Sequence, residues 1–170
     1  MQRINLTHRL AIPAVLVLVT LYMAVTNYPT MPEQIPTHFN TAGIPDTWGA
    51  KSFSGVFSLP FLQITLYGIL SGLTLVFTRR KDIRDIINIP NRDKLSTEQL
   101  EKVRAIIVDG MTVLNLQAST MLFYIQLGMV QVVRGNWSGI GPFVWLFTVI
   151  IVATCAWMLY RIYIIRKAVA

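Results

Sequence analysis

Four long apolar runs alternate with stretches where polar residues gather. Leu10–Asn27 and Phe57–Phe77 carry no charged side chain. Ala105–Val133 is apolar apart from Asp109 near its start and several amides, and Pro142–Ile165 apart from Arg161 near its end. About 20 mostly apolar residues suffice for a helix to cross a bilayer. In hydrocarbon every backbone N–H and C=O must be satisfied within its own element, so each run is predicted to be a helix. The alternating pattern of a membrane barrel is absent. The predicted fold class is therefore all-α integral membrane, with four transmembrane helices in one membrane domain. Residues 1–78 form a first helical hairpin, 79–104 a basic loop, and 105–170 a second hairpin. A proline-rich loop, 29–56, lies between helices 1 and 2.

Composition supports this division. Of 170 residues, 54% are hydrophobic and 14% charged, against about 25% charged in an average soluble domain. The net charge of +7 invites a nucleic-acid reading, but the positions of the basic residues argue otherwise. Of the 15 lysines and arginines, all but Lys51 and Arg134 fall before helix 1, between helices 2 and 3, or at the end of helix 4. The positive-inside rule then places both termini and the 79–104 loop in the cytoplasm, and the 29–56 loop outside the cell membrane. The 79–104 loop mixes five acids with its eight basic residues, which excludes a nucleic-acid stripe. The bilayer is the first partner, and the basic excess suits anionic head groups. Trp137, Phe143 and Trp145 are predicted at the outer interface, and Trp157, Tyr160 and Tyr163 at the inner one.

The single cysteine, Cys155, lies inside an apolar run, so neither a disulfide framework nor a thiolate metal cluster is expected. Tyr28-Pro29 follows the first run where a signal peptide would carry small residues, so that run is read as a retained helix. In the basic loop, "KDIRDIINIP" reads as a short basic helix broken at Pro90, with Ile83, Ile86 and Ile87 on a face lying along the membrane. Ser96 or Thr97 caps the next helix, with Glu98 and Glu101 suiting its positive end.

Two groups of residues carry candidate chemistry. Thr112, Asn115, Ser119 and Gln126 fall within about a 60° sector of helix 3. They form a polar stripe that serves either interhelical hydrogen bonds or a polar pathway. Asp109 stands about one turn inside the boundary; an intramembrane carboxylate is a functional candidate, and the competing reading has it reaching the cytoplasmic interface or pairing with Arg104. Gly68 and Gly72 give a G-x-x-x-G spacing in helix 2 that suits close helix contact within the bundle or between copies.

The second group lies in the 29–56 loop. Pro29, Pro32 and Pro36 hold the preceding residues extended, residues 36–40 are predicted as a short strand, and Asn40–Gly43 as a turn. His38, Asn40, Asp46, Trp48 and Lys51 are the candidate ligand- or partner-binding residues. A carboxylate beside an imidazole fixes its tautomer and suits ligand binding or pH sensing. Zinc wants three or four protein ligands, and His38, Asp46 and Glu33 are the only good ones in the loop, so no metal or cofactor is expected. No nucleophile motif for hydrolysis is present. The competing reading is structural, with Asn40 and Asp46 capping turns and His38 bonded within the loop.

Tyr28-Pro29, Met31-Pro32, Ile35-Pro36, His38-Phe39-Asn40, Gly43, Pro45-Asp46, Trp48 and Lys51 together resemble a signature, Y-P-x-L-P-x-x-I-P-x-H-F-N-x-x-G-x-P-D-x-W-x-x-K. It belongs to a bacterial membrane domain of uncharacterised function that also opens the SdpI-type immunity proteins. Met31 stands where leucine is usual, and the resemblance covers roughly the first third of the chain. It implies a non-enzymatic multi-pass protein whose outer loop binds a peptide, toxin or protein, with the 79–104 loop as the contact for a cytoplasmic protein. A small transporter or membrane enzyme using the polar face of helix 3, or an accessory subunit of a larger complex, are the alternatives. Oligomeric state is left open.

Overall fold

The computed structural model describes residues 6–167; Arg3, one of the basic residues used above to orient the chain, lies outside them. Four long helices form, each long and apolar enough to cross a membrane. They are α1 (Leu6–Asn27), α2 (Phe53–Arg79), α3 (Thr97–Val133) and α4 (Phe143–Lys167). Between α1 and α2 the chain makes a helical turn at Tyr28–Thr30, then two antiparallel strands, β1 (Gln34–Phe39) and β2 (Pro45–Ala50). The architecture is thus mostly helical with one β-hairpin, where the sequence suggested a single short strand.

The helix limits follow local chemistry. Ser52 caps α2, its hydroxyl accepting from the Gly55 N–H at 3.0 Å. Ser96 caps α3 in a reciprocal box: its hydroxyl accepts from the Gln99 N–H at 3.2 Å, and its own N–H donates to Gln99 Oε1 at 2.9 Å. Both caps start their helices earlier than the apolar runs alone indicate. At 37 residues, α3 is about 55 Å long, so it outreaches a hydrocarbon layer of about 30 Å.

The centre of the bundle is α3, packed against α1, α2 and α4, with α1 and α2 also in contact. One apolar cluster lies under the β-hairpin: Ala24, Met31, Ile35, Val56, Phe57, Met129 and Val130. A second lies at the opposite end: Phe77, Ile83, Ile87, Leu95, Leu100, Val103 and Ile107. No described residue of α4 is buried. Gly110 lets α4 approach, since a Cβ there would meet the Met158 side chain. Gly68 and Gly72 are different: a Cβ at either meets nothing within 4 Å. Their notch therefore faces away from the bundle.

The 80–95 segment corrects an expectation. It forms turns and one short 3-10 helix at Arg92–Lys94, not a basic helix over 81–90, and Ile83 and Ile87 point into the bundle end at 1% and 4% exposure. The cause is side-chain capture of backbone. Asp82 accepts from the Arg84 N–H at 2.9 Å, and the Arg84 guanidinium donates to the Leu95 carbonyl at 2.9 Å. Arg104 donates to the carbonyls of Phe77 and Lys81, each at 3.0 Å, and to that of Arg80. A guanidinium has five N–H donors, enough to gather the free carbonyls at the end of α2 and fold the segment back.

Candidate functional site

The hairpin is a short, irregular ladder. Gln34 pairs with Ala50, Ile35 with Gly49, Pro36 with Trp48, His38 with Thr47 and Phe39 with Pro45, with register shifts on either side of His38. Such irregularities re-aim side chains. Here they bring His38 Nδ1 to 2.6 Å from Asp46 Oδ1, with both side chains well exposed. Trp48 is 47% exposed on the same hairpin.

The other two loop candidates hold shape. Asn40 Oδ1 accepts from the N–H groups of Ala42 (2.9 Å) and Ile44 (3.1 Å). Its backbone N–H donates to the Ile44 carbonyl at 2.9 Å and its carbonyl accepts from the Gly43 N–H at 2.8 Å. Gly43 takes φ +75°, the left-handed region that glycine enters without a Cβ penalty. Lys51 Nζ donates to the Met31 carbonyl at 3.0 Å and stands 5.6 Å from the centre of the Tyr28 ring. The proline-rich exit from α1 is thereby tied to the start of α2.

The hairpin tip is docked on the connection between α3 and α4. The Ile140 N–H donates to the Gly43 carbonyl at 2.7 Å, and Trp145 Nε1 donates to the Thr41 carbonyl at 2.9 Å. The Tyr124 hydroxyl of α3 holds the Ile140 carbonyl. Backbone meets backbone so closely that a Cβ on Gly43 would collide with Gly141, and one on Gly139 with the Gly43 carbonyl. Beneath the hairpin lies a groove of about 530 Å³. Residues 36–41 border it as an unbroken run, and no β2 residue does. A sheet face would contribute alternate residues, so β1 meets the groove edge-on. Leu59, Ile125, Met129 and Val144 give it an apolar floor.

The polar stripe of α3 turns inward. Thr112, Asn115, Ser119 and Gln126 are all at or below 4% exposure. Two residues of α2 meet them: Gln63 Nε2 donates to the Ser119 carbonyl at 3.0 Å, and Asn115 Nδ2 to Ser71 Oγ at 2.9 Å. Asp109 pairs with Arg9 of α1, not with Arg104. Arg104 is committed to the α2 carbonyls and lies 3.2 Å from Glu101. At the hairpin end Arg134 donates to Asn27 Oδ1. Gln63 was open to detection as the one amide in an uncharged run. Arg9 was less visible, because it stands ahead of the apolar stretch. The Ile140–Gly43 seat is backbone chemistry and leaves no side-chain signal.

Among the described residues no group of three or more histidine, cysteine or acidic side chains is placed to hold a metal. No curated protein and no solved structure matches the chain. Residues 15–64 match the family model described as a Domain of unknown function (DUF1648). The match takes in most of α1, all of the hairpin and the first part of α2. The chain is a multi-pass membrane protein whose hairpin-bearing region is similar to that uncharacterised domain.

Proposed function

We infer that this protein is a non-enzymatic receptor-like membrane protein whose β-hairpin captures a peptide, toxin or protein partner on the extracytoplasmic side. One observation carries the reading. His38, Asp46 and Trp48 are exposed on a hairpin whose tip and base are both fixed, so recognition would start from an ordered surface. Ordering before binding lowers the entropy cost of capture, and indole is over-represented among residues that dominate binding energy. The distribution of lysine and arginine supports the outward placement of the hairpin. The resemblance to SdpI-type immunity proteins supports a protective role, with the folded 80–95 segment as the contact for a cytoplasmic protein.

The test is photo-crosslinking from position 48 in intact producer cells. The expected result is an adduct with a secreted or surface polypeptide that disappears when Asp46→Asn or His38→Ala is combined with the probe. Absence of any adduct, or an adduct indifferent to both substitutions, overturns the reading.

A further inference from the structure

The bundle interior holds polar atoms that its own side chains do not satisfy. Among the described residues, six such atoms are buried without a hydrogen-bond partner: Arg104 Nε, Gln117 Oε1 of an amide that bonds to α4, and four of the α3 stripe and its α2 partner, Gln63 Oε1, Asn115 Oδ1, Gln126 Oε1 and Gln126 Nε2. Gln63, Asn115 and Gln126 are 1%, 1% and 0% exposed. Three buried hydroxyls of the same helices donate to their own backbone: Thr20 to the Leu16 carbonyl, Thr74 to that of Leu70, and Thr112 to that of Asp109. In a bilayer no outside solvent reaches such groups to compensate them.

We propose that the interior between α1, α2 and α3 is a hydration site, holding water at the Gln63–Asn115 level and at Gln126, and entered from the Arg9–Asp109 end. The chemistry of the unmet groups selects the occupant. Three are carbonyl oxygens and one is an amide NH₂, so the ligand must mainly donate hydrogen bonds and also accept one. Its charge is set by the surroundings. No charged side chain lies on α1 after Arg9, on α2 before Arg79, or on α3 between Asp109 and Arg134. Hard cations seek six or more oxygens, carboxylates among them; this interior offers three amide oxygens and no acid. A neutral donor of water's size fits, since buried water characteristically bridges two to four otherwise unmet polar groups.

Spacing requires more than one molecule. Asn115 and Gln126 are about 16 Å apart along α3, and the buried Leu122 side chain (5% exposed) stands between Ser119 and Gln126. Access is asymmetric. Arg9 and Asp109 keep 30% and 49% of their side chains exposed at one end of the stripe. At the other end Gln126 is 0% exposed, about one turn of α3 before Met129 and Val130 of the cluster under the hairpin.

Water-to-amide cross-relaxation by NMR, on the unaltered full chain in lipid nanodiscs, tests the proposal. Cross-peaks from water are expected at the side-chain amides of Asn115, Gln63 and Gln126, and none at the methyls of Leu116. Visible amide resonances without water cross-peaks at Asn115 and Gln126 overturn it. Exchange into deuterated buffer should be at least tenfold faster at Asn115 than at Gln126; the reverse order overturns entry from the Arg9–Asp109 end. Gln126→Leu should abolish the cross-peaks of position 126 and leave those of Asn115; loss of both sets would mean that the two levels are not separate sites.

Discussion

Side chains of the hairpin divide into those that hold its shape and those that are left to act. The His38–Asp46 contact is exposed, and exposed pairs contribute about 0–1 kcal/mol. Asp46→Asn is therefore expected to leave thermal unfolding in detergent almost unchanged while releasing the imidazole. Asn40 and Gly43 behave differently. Asn40→Ala removes two side-chain acceptances, each worth about 1 kcal/mol. Gly43→Ala places a Cβ at φ +75° and against Gly141; the conformation alone costs about 1–2 kcal/mol. Both variants should unfold several degrees below the parent, with Gly43→Ala the more severe because the α3–α4 connection must also move. Equal unfolding temperatures for Gly43→Ala and Asp46→Asn would contradict this division of roles.

Among the elements, the 80–95 segment is the most dependent on a few side chains. Arg104→Lys substitutes a point donor for a fork, which cannot hold the Phe77, Arg80 and Lys81 carbonyls together. A loss of about 1–3 kcal/mol is expected, read as faster proteolysis between residues 80 and 95. Asp82 gives the same segment a pH dependence. The Arg84 backbone N–H, and then its guanidinium, hold the Asp82 carboxyl below its ordinary value. A carboxyl depressed by folding stabilises above its unfolded pKa of about 3.9, and that contribution fades as pH falls through the lower folded value. Amide protection factors across 80–95 should drop in that acidic range. In Asp82→Asn they should start lower and lack that step.

The same segment shows where sequence reading ran out. Ile83, Ile86 and Ile87 have helical spacing, but the period does not reveal that Arg84 and Arg104 capture backbone carbonyls and fold the stretch into turns. The four spans were legible because hydropathy over some 20 residues is a strong signal. The turn at Asn40–Gly43 was legible because those residue types suit it. The second strand was not: Pro45–Ala50 has no apolar alternation, and it is a strand because it pairs with β1. The inward turn of the α3 stripe followed from helical period, whereas its α2 partners required knowing which faces meet.

For the whole molecule, orientation is the property on which the proposed receptor role depends. A cysteine introduced at Thr41, with Cys155→Ala as background, should react with a membrane-impermeant thiol reagent in intact cells. One introduced at Lys94 should react only after lysis. The opposite pattern would put the hairpin in the cytoplasm and remove the proposed encounter with an external partner.

The docking of the hairpin tip has a consequence for biosynthesis. Trp145 lies 104 positions beyond the Thr41 carbonyl that it holds, and Ile140 is nearly as far from Gly43. A ribosome makes the hairpin long before it makes its seat. The nascent loop must therefore wait undocked until the last two helices have been made. A chain truncated before Gly139 is expected to make the same hairpin yet leave its tip untethered and open to proteases.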